Sequence, residues 1–211
     1  MKHVTSICAI VLFTSFCSFA TGIDLRVGGG LNLSYEIYSG DYNLPDTVYK
    51  KRMHAGYNAG LSAAVYFTQQ VGVISGLSYE TRGFGYDVDD PVWGGPSSEE
   101  YLLNYLQIPV LFSYKPIPAL SVNIGPELGV FLSGKRMIGD EDFDVEGIRP
   151  IDFGASLNVE YTFINKIAVG AGYYFGLIHN EEVSEGSFVV KGTKRHTNLK
   201  LYVAYVFHVT E

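Results

Sequence analysis

Cysteine is nearly absent from this chain. Two occur in 211 residues, Cys8 and Cys17, and both lie within the first 20. Tryptophan occurs once, at Trp93. After residue 20 there is no long apolar run and no sustained helical period, which excludes a helical membrane span beyond the N-terminus. Basic residues are also scarce, with 15 Lys and Arg against 22 Asp and Glu. That balance argues against nucleic acid as a partner. Linkers and low-complexity segments are missing too, so one domain is expected.

The N-terminus reads as a leader. In "MKHVTSICAIVLFTSFCSFATG", Lys2 and His3 form a short polar start and an apolar stretch runs from Val4 to Phe19. Ser18 and Ala20 occupy the small-residue positions of a cleavage site after Ala20, the pattern of a secretory signal peptide. Phe16 stands before Cys17 where a lipidation site wants a small residue. Residues 1–20 are thus read as a removed signal peptide and 21–211 as the mature domain. That domain has no thiol and no disulfide. Without Lys2 it carries 14 basic and 22 acidic side chains, a net charge of −8.

What the chain does have is glycine and aromatics: 24 Gly, 16 Tyr and 13 Phe. Eight segments alternate with the two-residue period of a strand. They run at about 24–38, 52–68, 71–86, 100–114, 119–136, 149–164, 166–180 and 192–207. In "IDFGASLNVEYTF", Ile151, Phe153, Ala155, Leu157, Val159, Tyr161 and Phe163 share one face, with Asp152, Gly154, Ser156, Asn158, Glu160 and Thr162 on the other. In the fifth segment, the face of Leu120 continues through Val130 and Leu132, opposite Ser121, Asn123, Glu127, Gly129 and Ser133. Three connections are tight, "TQQ", "KPIPA" and "INK". The links at 39–51, 87–99, 137–148 and 181–191 are long and acidic. Short turns at one end and long loops at the other are the layout of a transmembrane β-barrel.

Sidedness follows from the chemistry of the two faces. One set of faces carries Arg26, Glu80, Arg82, Glu127, Asp152, Glu160 and Lys200 with many glycines. The other carries large aliphatic and aromatic residues. A soluble barrel would turn the apolar face inward. Rows of Leu, Val, Phe and Tyr cannot face water in a monomer, whereas charges in a narrow interior are tolerable when paired. The expectation is an all-β, eight-stranded, antiparallel up-and-down transmembrane barrel. Its polar lumen network would be the seven charged residues, with Tyr66, Tyr174 and Tyr202 adding bulk. Tyr35, Tyr57, Tyr79, Tyr114, Tyr161, Tyr173 and Tyr205 fall where aromatic girdles belong.

The blocks "YLQIPVLFSYKP", "NIGPELGVFLSGK", "IDFGASLNVEYTF" and "GAGYYFGLIHN" resemble the outer-membrane β-barrel domain of the PorT-like group, common in Bacteroidetes and related bacteria. The resemblance spans essentially the whole mature chain. It implies a small barrel akin to the OmpA and OmpX type, sited in the bacterial outer membrane, with no catalytic residues. Some relatives are linked to protein secretion across that membrane. The terminal run Leu199, Leu201, Val203, Tyr205, Phe207 resembles the C-terminal assembly signal of such barrels, with His208 to Glu211 as a short tail. The expected partners are outer-membrane lipid, the barrel-assembly machinery during insertion and an envelope or secretion protein. No cofactor and no nucleic acid are expected.

Sharper chemistry finds little support. "VGGGLNLS" from Val27 lacks the GK[ST] ending of a phosphate loop. Asp140, Asp142 and Asp144 mimic the start of a calcium loop, but Val145 and Ile151 stand where Gly and Glu are needed. A hydrolase triad near the outer rim would draw on His179, His196, Glu181, Glu182, Ser184 and Ser187. The two histidines fall on opposite parities and do not converge. The expected role is therefore structural or loop-mediated binding without catalysis, with a secretion or envelope complex, or lipid hydrolysis, as alternatives.

Overall fold

The computed structural model describes residues 20–40, 49–90, 95–139, 141–145, 148–164, 166–178 and 192–210. Nine strands follow one another: β1 (Gly22–Gly40), β2 (Tyr49–Tyr66), β3 (Val71–Asp90), β4 (Gly95–Ile117), β5 (Leu120–Ile138), β6 (Glu141–Asp144), β7 (Ile151–Phe163), β8 (Ile167–Gly176) and β9 (Gly192–Thr210). Eight of them close into a ring in the order β4-β3-β2-β1-β9-β8-β7-β5, sealed by a β4–β5 ladder. Every ladder is antiparallel, and β1 against β9 joins the first strand to the last. No described helix is long and apolar enough to cross a membrane; the strands are the elements that can span.

Alternation decides which side faces in. On β7, Asp152 and Glu160 are 1% and 3% exposed, whereas Leu157 and Val159 are 46% and 45% exposed. On β9, Leu199, Leu201, Val203, Tyr205 and Phe207 all point outward. The ring therefore has a polar interior and an apolar exterior, which needs a cover other than water.

Four details depart from the periodicity. The link read at 87–99 is mostly strand, with β3 running to Asp90 and β4 starting at Gly95. The stretch 137–148 is not all loop, because β6 pairs with β5 from Lys135↔Asp144 to Ile138↔Glu141. It extends the wall above the point where β7 leaves β5, at Val130↔Ile151. The seventh alternating segment stops at Gly176 instead of 180. On β5 the parity slips: an irregularity between Asn104 and Tyr105 shifts their partners to Ser133 and Phe131. Phe131 keeps the inward parity and packs against Tyr105, but Ser133, expected inside, is exposed and accepts a hydrogen bond from Asn104 at 3.0 Å. One extra residue in a strand turns every later side chain to the other face.

The interior is not uniformly polar. Near the short turns sit Ala64, Tyr66, Ile74 and Leu111, with Ala168, Ala204 and Val206. Toward the long-loop end, Phe84, Leu103 and Tyr105 form a second apolar layer. The charged residues lie among and between these layers.

Candidate functional site

The central charged belt is built around Arg82 of β3, whose side chain is fully buried. Its Nε donates to Glu80 Oε1 at 2.8 Å and its Nη1 to Asp152 Oδ2 at 2.8 Å. Glu127 Oε1 lies 3.7 Å from Nη2. Lys200 Nζ bridges Glu80 and Glu127, 2.8 Å from each. The belt thus holds three acids and two bases. Neutral groups extend it, leaving Asp152 Oδ1 and Asn198 Oδ1 without a hydrogen-bond partner among the described residues. Tyr174 donates its hydroxyl to Asp152 at 2.8 Å, and its ring lies under the guanidinium at 4.1 Å. Ser156 donates to Glu127, and Asn198 to Glu80. With its amide turned to suit these neighbours, Gln107 donates to Glu127 at 3.1 Å and accepts from Arg82 at 2.9 Å. Buried charges require this degree of satisfaction.

Arg26 and Glu160 form a separate pair nearer the short turns, at 2.5 Å, with Arg26 also donating to the Tyr66 hydroxyl at 3.2 Å. The seven charged residues singled out by parity therefore form two groups, one of five and one of two. Between them lies a cavity of about 150 Å³ whose lining includes Asn58, Asn123, Asn158 and Tyr202. Below the Arg26 pair, Asp24 meets His208 at 2.6 Å and Lys115 at 3.9 Å.

Glycines make room for the inward tyrosines. A Cβ at Gly170 would stand 2.4 Å from the Tyr202 ring, one at Gly154 2.5 Å from the Tyr174 ring, and one at Gly72 2.6 Å from the Tyr66 ring. Tyr202 lies opposite Gly30 on one neighbouring strand and Gly170 on the other.

Toward the long-loop end the β2–β3 ladder breaks between Met53 and Asn58, with one more residue on β2 than on β3. Side chains from β1 reach across the bulge. Asn32 donates to the Thr81 carbonyl at 2.5 Å. Ser34 donates to the Gly83 carbonyl at 2.9 Å and accepts from the Gly83 N–H at 2.7 Å. Side-chain amide and hydroxyl here substitute for ladder partners that the bulge removes. Above this point β1 and β2 part. Their ladder ends at Ser34↔His54, whereas β1 continues along β9 to Gly40 and β2 along β3 to Tyr49.

Parity alone leaves Asp24, Asn32, Ser34, Gln107 and Asn198 undistinguished from other polar residues, although all five are buried. His196 is buried beside the Phe84 and Tyr105 rings, at 5.9 and 6.3 Å between centroids. His179, Glu181, Glu182, Ser184 and Ser187 lie outside the described residues, as does Asp140. Asp142 pairs with Lys135 at 3.2 Å. Among the described residues no group of His, Cys, Asp or Glu is arranged to hold a metal ion.

No curated protein matches the sequence. Among solved structures, the attachment invasion locus protein Ail of Yersinia pestis is similar at 14% identity and a TM-score of 0.47, covering 88% of this chain and 99% of that one. OprG from Pseudomonas aeruginosa is similar at 16% identity and 0.45, covering 90% and 98%. Neisserial surface protein A is similar at 13% identity and 0.47, covering 88% and 97%. A family described as "Outer membrane protein beta-barrel domain" matches residues 17–182. With that match over most of its length and eight antiparallel strands closed around a polar interior, the chain belongs to the outer-membrane β-barrel domain family.

Proposed function

We propose that this protein is a non-conducting outer-membrane barrel that fixes its own shape through a plugged lumen and recognises partners through its long loops. The Arg82 belt carries the reading. A guanidinium with no exposed surface, held by Glu80, Asp152 and Glu127, leaves an ion no continuous wet path. Eight strands enclose an interior only wide enough for side chains. Catalysis has no part in this reading, since the buried His196 is set among aromatic rings. Planar-bilayer recording is the test: the purified monomer should give no stable unit conductance, and reproducible channels would overturn the plug.

The finer assignments belong to the same reading. The quoted blocks favour the PorT-like group, and with it a place beside an envelope or secretion protein. Residues 1–20 act as a signal peptide cleaved after Ala20, leaving 21–211, and the mass of the mature protein tests this directly. The outward row from Leu199 to Phe207 serves as the signal read by the assembly machinery.

A further inference from the structure

The lumen widens at one level. On β7 the inward side chain of Asn158 is half-buried, between buried Ser156 above and Glu160 below. On β5, Gly125 stands in the same way between Glu127 and Asn123, and on β4 Pro109 between Gln107 and Leu111. On β3, Ser78 and Gly76 do so between Glu80 and Ile74. Four strands thus loosen together, and the space they leave is the cavity of about 150 Å³ between the Arg82 belt and the Arg26 pair. Facing positions on β2 and β3 carry little bulk there: Gly60 pairs with Ser78 and Ser62 with Gly76. Among the described residues, the hydroxyls of Ser62 and Ser78 and the side-chain amide of Asn158 make no hydrogen bond to the protein. Asn123 Oδ1 and Arg26 Nε, on two further lining residues, also lack a partner.

We infer that this chamber binds an ordered cluster of water, on the order of five molecules at about 30 Å³ each. Apolar cavities stay dry, whereas one with several polar partners holds water. The cluster supplies partners to the two serine hydroxyls and to Asn158. It also touches both charged groups, Lys200 and Glu127 from the belt side and Arg26 and Glu160 from the other. The cost of an ion pair inside a membrane-spanning wall is the water that each charge gives up. A retained cluster returns part of that water, so the charges in the lumen are solvated on their facing sides. The belt above stays closed, and a wet chamber beneath it passes no current. Hydration and conduction are therefore separate properties with separate measurements.

Magnetisation transfer from water to methyl groups provides the test. The protein is deuterated except for its Ile and Leu methyls and folded in deuterated detergent micelles. Ile74 and Leu111 line the chamber, and Leu201 on the lipid-facing row is the control. Ile74 and Leu111 should show cross-peaks at the water frequency, of opposite sign in NOE and ROE spectra, the pattern of long-lived water. Leu201 should show none. Ser78→Leu should fill the chamber and remove the cross-peaks, and Asn158→Leu should do so from another wall. Ser75→Leu, on the exposed side of β3, should leave them in place. Folding of each variant is checked by its gel shift on heating. Silent Ile74 and Leu111 methyls in the wild type would show a dry chamber and overturn the proposal, whatever the variants do. Cross-peaks of like sign in both spectra would show only passing water and overturn the ordered cluster. Cross-peaks that persist in a folded, filled variant would place the water elsewhere and overturn it too.

Discussion

Arg82 touches three carboxylates, so its loss is felt by all of them. Arg82→Ala should destabilise the barrel by about 3–5 kcal/mol, because buried acids would stand without their cation. Glu160→Ala should fall in the same range through Arg26. Urea unfolding in lipid vesicles measures both, and a loss below about 1 kcal/mol would deny the network its structural role. The glycine–tyrosine contacts make a second prediction. Gly170→Val drives a branched side chain into the Tyr202 ring and should cost about 1–3 kcal/mol. Adding Tyr202→Ala should return part of that loss, and an additive double mutant would contradict the contact. These partnerships were only half legible in the sequence. Parity marks Arg26, Glu80, Arg82, Glu127, Asp152, Glu160 and Lys200 as sharing a side. It cannot tell that Arg26 stands apart with Glu160, because pairing across the lumen depends on strand tilt and stagger.

At the scale of the strand, the outward and inward sides should differ in what they tolerate. Leu201→Arg places a charge on the exposed row and should cost roughly 2–4 kcal/mol near the bilayer midplane. Asn158→Ser, on the inward side of β7 facing the cavity, should cost less. Equal losses in reversible folding measurements would contradict the sidedness. The strands themselves were plain in the sequence, since a two-residue period with tight turns has no helical counterpart. The bulges were not. A single inserted residue on β2 leaves local alternation nearly intact, and only its neighbours show it, through Asn32 and Ser34 crossing to β3. The slip at Asn104 and Tyr105 hid in the same way, and so misplaced Ser133. The short β6 escaped because the acidic run "EDFD" carries no apolar alternation; it is a strand only by pairing with the tall end of β5.

For the whole molecule, the closed ring and apolar exterior predict fractionation with outer membranes and a band that shifts on heating before electrophoresis. Recovery as a detergent-independent soluble protein would contradict both. Closure also has a consequence in time. The β1–β9 ladder joins residue 23 to residue 210, so the wall is completed only when the last of the barrel's strands in chain order meets the first. Until β9 arrives, β1 and β8 each present a bare margin of backbone donors and acceptors, ready to pair with any passing strand. A half-made cylinder is therefore most hazardous just before it is finished. The cell has to shelter two sticky seams from the first strand's emergence to the last, and the final strand acts as the zip that retires both at once.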